Sequence, residues 1–260
     1  MKLSVILPSI RTARLLKWYQ SFEMSYSGAW ELIVVSPYQL PVELEGRAKW
    51  IQDWGHPVRC QQLGLLAATG DYVHRGVDDS LYLSGTMDAA VAKLTDGYKT
   101  VVSAKYTETN ASVDRTHKDF QNMNDPKYYD IGYHLQASFF FVPDHYKLLN
   151  FGIVSRRLLL EVGGWDCYFE SVAIAELDLA VRLQRDGANI VLSDEVVLEC
   201  DWMPGHQGDH GPMHDAFEPD MEKYRAIYNK PECGSRIAVP LDNWQQAAPR
   251  WSRRFGRSGI

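Results

Sequence analysis

At 260 residues with 45% apolar side chains, the chain is long enough for one large domain or two small ones around a real core. A formal net charge of −6 excludes any global electrostatic attraction to polyanions. The cysteines Cys60, Cys167, Cys200 and Cys233 stand too far apart for CxxC pairs or a disulfide scaffold, so neither a zinc knuckle nor a stapled secreted module is expected.

Met1 leads into "KLSVILPSI", which has one cation and too short an apolar run for a signal peptide. No later run approaches the ~20 apolar residues of a membrane span, and a cytoplasmic protein with reduced thiols is expected, in the host cytoplasm if the source is viral. "LSVILP" (Leu3 to Pro8) reads as a buried strand, and "ARLLKWYQSF" follows as a helix with Leu15, Tyr19 and Phe22 on one face. "ELIVVSP" (Glu31 to Pro37) is a second strand stopped by its proline. "RCQQLGLLAATG" (Arg59 to Gly70) is helical and ends at a glycine. "DYVHRGV", "LSGTMDAAVAKL" and "KTVVSAKY" repeat the order strand, helix, strand.

Across Thr107 to Tyr146 the period is lost in a polar, aromatic stretch longer than an ordinary connection, with "LQASFFFVP" as a strand near its end. "SRRLLLEVGGWD" is a helix closed by Gly163 and Gly164. "AELDLAVRLQRDG" is an amphipathic helix with Leu179 and Leu183 on one face and Gly187 at its end, and "ANIVLSDEVVLECDW" supplies further extended chain. This alternation predicts an α/β fold, a mostly parallel central sheet with helices on both faces. In such sheets ligands bind beyond the carboxyl ends of the strands. No GxGxxG or GxxxxGK[ST] follows the first strand, which disfavours a dinucleotide or P-loop enzyme.

Asp78 and Asp79 in "VHRGVDDSLYL" sit at one of those strand ends. Adjacent carboxylates repel, so they mark either a solvated loop or hard oxygen ligands for a divalent cation. Pro8 and Ser9 end the first strand, and Arg11 and Arg14 open the next helix as contacts to a nucleotide or as exposed charges. In "MPGHQGDHGPMHD", His206, His210 and His214 are four apart, but Gly205, Gly208, Gly211 and Pro212 argue for a loop. Exposed loop histidines and a zinc site are two readings of that cluster. The final "PRWSRRFGRSGI" sets Arg250, Arg253, Arg254 and Arg257 among Trp251 and Phe255, and reads as a solvated tail or a patch for phosphates.

Taken together, "SVILPSIRTARLLKWYQSF", "CQQLGLLAATGDYVHRGVDDS" and "NFGIVSRRLLLEVGGWDCYFESVAIAELDLAVRLQRDG" resemble the inverting family 2 glycosyltransferases of the GT-A fold. The resemblance runs from about Leu3 to Leu192. It implies a GT-A-like nucleotide-diphospho-sugar transferase domain over residues 1–205, with a donor-binding half to 106 and an acceptor and catalytic half beyond. Residues 206–260 are then an irregular C-terminal extension.

The family's Asp-x-Asp motif falls on Val77, Asp78 and Asp79. The resemblance therefore implies Asp79 as ligand to Mn²⁺ or Mg²⁺, with His206 or His210 completing the site and Asp78 contributing to the donor in place of Val77. Ser36 takes the place of an acidic residue near the nucleotide base, and Gln61 and Gln62 stand where many members have Arg-Asn. With Pro8, Ser9 and Arg11 these form the expected donor site. The catalytic base falls on Glu176, with Ala175 before it, while Asp178 is assigned to capping or salt-bridging.

The implied reaction moves a sugar from a nucleoside diphosphate sugar to an acceptor hydroxyl. Tyr106, Tyr128, Tyr129, Tyr133 and His134 are candidates for stacking on a sugar or nucleobase, or for packing on the sheet. The opening "SVILPSIR" and the "RCQQ" segment also look like phage-type enzymes that glycosylate hydroxymethylpyrimidines in DNA, with the arginine tail on the phosphates. A glycan or lipid-linked sugar acceptor, a catalytically idle sugar-nucleotide-binding homologue, and a sugar nucleotidyltransferase are the alternatives; the last lacks its expected glycine-rich loop in "PSIRTAR".

Overall fold

The computed structural model describes residues 1–95, 97–109, 134–135, 146–147, 149, 151–201, 208–228 and 236–256. In chain order the elements are β1 (Lys2–Pro8), α1 (Leu15–Ser25), β2 (Ala29–Val35), β3 (Ala48–Ile51), α2 (Pro57–Ala67), β4 (Tyr72–Arg75), β5 (Ser80–Tyr82), α3 (Thr86–Val91) and β6 (Thr100–Thr109). Then follow the short antiparallel pair β7 (His134–Leu135) and β8 (Tyr146–Lys147), β9 (Ile153–Ser155), α4 (Arg156–Glu161), α5 (Val172–Arg185), β10 (Asn189–Asp201), α6 (Gly211–Tyr228) and α7 (Ser252–Phe255). The "LQASFFFVP" strand lies, beyond Leu135, outside the described residues.

Eight strands form one sheet in the order β3-β2-β1-β4-β9-β6-β10-β5. Pairs β3/β2, β2/β1, β1/β4 and β6/β10 are parallel, while β9 and β5 run against their neighbours. The mostly parallel sheet expected from the alternation is therefore present, with one reversed strand inserted at its centre. Strand period explains the two layers: Leu3, Val5 and Leu7 of β1 face a core with α1 and α3, while Ile6 faces a core with α2, α4 and α5. Near-continuous apolar runs such as "SVILP" are what a strand buried on both faces requires.

Two readings of the sequence are corrected here. The histidine stretch "MPGHQGDHGPMHD" is expected as a loop, but from Gly208 onward it forms a 3₁₀ turn at Gly208–His210 and then the start of the 18-residue α6 (Gly211–Tyr228), within what is expected as an irregular extension. Pro212 falls in the first turn, where a missing N–H costs nothing. The arginine-rich end is not a free tail as far as Gly256, where the described residues stop. Trp251 is 2% exposed, its backbone N–H donates to Trp54 O (2.8 Å), and Arg59 reaches the carbonyls of Trp244 (2.5 Å) and Ala247 (3.3 Å). Residues 236–256 thus form a strap over α2, and the apolar Trp251 supplies the burial that a count of arginines hides. Among the described residues, no helix is long and apolar enough to cross a membrane.

Candidate active site

A cleft opens beyond the carboxyl ends of β1, β2 and β4. Pro8, Ser9 and Arg11 line it from β1 onward, Arg75 to Asp79 from β4 onward, Gln61 from α2, Val172 from α5, and Trp251, Arg254 and Phe255 from the strap. Asp209 and His210 close it on the side of α6. The strap's share of this wall was not legible in the sequence, because its residues carry no motif.

Asp78 organises the loop rather than presenting a free carboxylate. Its Oδ2 accepts from Ser9 Oγ (2.8 Å) and from the N–H groups of Ile10 and Arg11 (both 3.1 Å), and its Oδ1 pairs with Arg11 Nη1 at 2.5 Å. Arg11 then bridges to Asp209 (Nε to Oδ2, 2.8 Å) and approaches Asp79 at 3.7 Å. Burial alone would lower the Arg11 pKa, but these three carboxylates raise it. One guanidinium therefore ties the β1–α1 loop, the aspartate turn and the start of α6. Asp209 was missed from sequence, its signal being only its place beside His210.

Asp79 faces His210, whose Nε2 donates to Oδ2 at 3.2 Å. The hydrogen bond and charge of Asp79 raise the His210 pKa; burial would raise that of Asp79, yet His210 and Arg11 hold it below its usual range. Among the described residues no cluster of three or more His, Cys, Asp or Glu side chains is suited to a metal ion. One carboxylate and one imidazole still fit the small protein share that a Mg²⁺ or Mn²⁺ needs when phosphates and waters supply the rest. His206 lies outside the described residues.

Of the other candidates, Gln61 lines the cleft at 1% exposure, with its Oε1 lacking a hydrogen-bond partner. Gln62 does not reach it. Its amide donates to Gly163 O and Leu241 O (both 3.0 Å) and accepts from Trp165 N (2.9 Å), fastening α2 to the glycine turn and the strap. Ser36 is also turned inward: fully buried between the cleft-lining Val35 and Pro37, its Oγ accepts from Tyr38 N (3.0 Å) in a turn-capping role. Adjacent positions on a helix or strand end point in different directions, so neighbours of a true lining residue need not share its role.

Glu176 sits one turn along α5 from the cleft-lining Val172, behind Arg75. Its Oε1 accepts from Trp165 Nε1 (2.9 Å) and lies 3.0 Å from Arg75 Nε, while its Oε2 has no hydrogen-bond partner. Burial raises its pKa against the opposing pull of Arg75 and Trp165. Arg75, absent from the sequence reading because a lone arginine at a strand end forms no pattern, thus connects the carboxylate to the cleft. Tyr106 packs edge-on to Phe151 (4.8 Å), whereas Tyr128, Tyr129 and Tyr133 lie outside the described residues, as do the side-chain surroundings of His134.

Solved structures similar to this chain include two of S. aureus TarS. One is S. aureus TarS, with a TM-score of 0.53 and 13% identity, covering 88% of this chain and 43% of that one. The other is S. aureus TarS 1-349 in complex with UDP-GlcNAc, with a TM-score of 0.53 and 16% identity, covering 81% of this chain and 60% of that one. The chain has the GT-A fold. It spans less than two thirds of either TarS chain, and at these identities the likeness establishes the fold alone. No protein-family model and no curated protein sequence matches it.

Proposed function

We propose that the chain is an inverting glycosyltransferase that moves a sugar from a nucleoside diphosphate sugar to an acceptor hydroxyl. The observation that carries this reading is Glu176, a buried carboxylate with one unpartnered oxygen, one residue behind a cleft at the strand ends of a fold shared with a UDP-GlcNAc complex. The donor's diphosphate lies along Ser9, Arg11 and the aspartate turn, with the base toward Gln61. Trp165 fixes the Glu176 carboxyl so that Oε2 takes the proton of the attacking hydroxyl as the glycosidic bond forms, catalysis worth roughly 10²- to 10⁴-fold. Asp79 and His210 would hold Mn²⁺ or Mg²⁺, which when bound supplies Lewis-acid stabilisation of charge on the departing diphosphate.

A glycan acceptor is favoured over hydroxymethylated DNA. Arg253 is paired with Glu170, Arg254 with the Asp209 carbonyl, and Arg250 with the Phe255 carbonyl, so those arginines are engaged within the fold and net charge is −6. The test is to incubate the protein with UDP-, GDP-, ADP-, CDP- and dTDP-sugars, with and without Mn²⁺ or Mg²⁺, offering common glycans and hydroxymethylated DNA. Release of nucleoside diphosphate with transfer to a glycan is expected. Failure to bind any of these donors would defeat the reading, and binding without release would leave a donor-binding homologue.

A further inference from the structure

Arg75 ends β4 at the cleft wall and is 9% exposed. Its guanidinium lies over the Phe151 ring at 4.9 Å, and Phe151 holds a φ of +42°, the left-handed region that a bulky side chain rarely occupies. Such strain persists only where the surroundings impose it, and it gathers at functional positions. Although Arg75 Nε is 3.0 Å from Glu176 Oε1, the contact is out of line for a hydrogen bond. Neither Nε nor Nη1 has a hydrogen-bond partner among the described residues, and neither has Glu176 Oε2.

Buried, unpartnered guanidinium N–H groups are costly. At the wall of a cleft assigned to a diphosphate, their fitting acceptors are phosphoryl oxygens, which a guanidinium engages two at a time. The off-line contact with Glu176 leaves the guanidinium loosely held on that side. We infer that Arg75 is a positioning residue that serves two anions in turn, so that the donor's diphosphate draws it from Glu176 and leaves that carboxylate facing the acceptor. This rests on the donor placement proposed above.

The experiment compares wild type, Glu176→Gln, Arg75→Lys and the double variant Arg75→Met with Glu176→Gln, which leaves no unpaired charge at the site. Affinities are measured by calorimetry for UDP, GDP, ADP, CDP and dTDP, and for the corresponding nucleosides. Glu176→Gln should bind the accepted diphosphate at least as tightly as wild type, and the double variant about tenfold or more weaker than Glu176→Gln, with nucleoside affinity equal in both. Arg75→Lys should fall between, and its loss of turnover should exceed its loss of nucleoside affinity. A double variant binding diphosphate within about twofold of Glu176→Gln overturns the inference. Should that variant not fold, an Arg75→Lys protein with wild-type diphosphate affinity overturns it equally. A wild type that binds none of these diphosphates defeats instead the donor reading beneath it.

Discussion

Arg182 and Asp178 lie fully buried one turn apart on α5, with Nε donating to Oδ2 at 2.8 Å. Asp178 Oδ1 also accepts from Tyr228 Oη (2.7 Å), and the Arg182 guanidinium donates to Val162 O and Gly164 O (both 2.7 Å). The pair therefore joins α5 to α6 and to the turn after α4. Arg182→Met leaves the buried Asp178 only its longer ion pair with Arg236 (Nη1 to Oδ1, 3.6 Å), and is expected to cost up to about 3–5 kcal/mol in urea unfolding. A loss under about 1 kcal/mol would show that Tyr228 and neighbouring groups suffice for Asp178.

The salt-bridging role of Asp178 was legible because Arg182 stands four residues on, a spacing that fixes the meeting of two side chains on a helix. Similarly, the apolar runs gave β1, β2 and β4, and the glycine stop gave the end of α5, whereas α2 ends at Ala67, three residues before the expected Gly70. β3 and β5 were not legible: "AKWI" and "SLY" are short, and β5 runs antiparallel at the edge of the sheet. Counting along the chain brings Asp79 to the cleft wall and Glu176 to the layer behind it, next to Arg75. Gln62 and Ser36 could not be told from lining residues, since which side chain turns inward depends on the strap and loops that pack on it.

Glu176→Gln keeps the Trp165 hydrogen-bond acceptor and removes the base. Turnover should fall roughly 10²- to 10⁴-fold with nucleoside diphosphate affinity preserved. Because burial raises the Glu176 pKa and the carboxylate must be ionised to accept a proton, wild-type kcat/KM should fall with acidification through a value above the ordinary 4.5. The residual activity of Glu176→Gln should lack that limb. A profile with the same acidic limb in both proteins would assign the base elsewhere.

His74 is fully buried between Tyr82 and Gly152. The Gly152 carbonyl (3.2 Å) can only accept, so Nδ1 carries the proton and Nε2 accepts from Tyr82 Oη at 2.7 Å. Burial, which leads the causes, pushes its pKa down to about 3 from 6.5. A depressed folded-state value means that stability is complete above pH 6.5 and declines as the pH falls toward 3. Between pH 6.5 and 5 this one group should remove about 2 kcal/mol, at about 1.4 kcal/mol per pH unit. Urea unfolding at both values should show a smaller decline in His74→Leu with Tyr82→Phe, which removes both partners. An unchanged decline would place the acid sensitivity in other groups.

Donor turnover should drop at least about 100-fold on chelation with EDTA and return with Mn²⁺. Asp79→Ala should not be rescued by either cation. His210→Ala should retain more activity with Mg²⁺ than with Mn²⁺ relative to wild type, because imidazole suits the softer ion. Full turnover in EDTA would remove the cation from the reaction and leave Asp79 as a partner for Arg11 and His210 only.

Gly163 ends the turn after α4 at φ +84°, and a Cβ there would meet the backbone oxygen of Val239 at 1.8 Å. Val239 N in turn donates to Val162 O at 3.1 Å, the bond that seats the first part of the strap. Gly163→Ala combines a left-handed conformation, costing roughly 1–2 kcal/mol, with a clash that only displacement of the strap relieves. Gly187 at φ +87° has a single neighbour, Lys99 Nζ at 3.8 Å, so Gly187→Ala should show the conformational cost alone. Gly163→Ala is therefore expected to lose more stability than Gly187→Ala and to become readily cut by trypsin at Arg250 and Arg253. It should also bind donor more weakly, since Trp251 and Arg254 bring the strap to the cleft wall. Equal stability and equal proteolysis in the two variants would mean that the strap does not depend on the glycine turn for its seat.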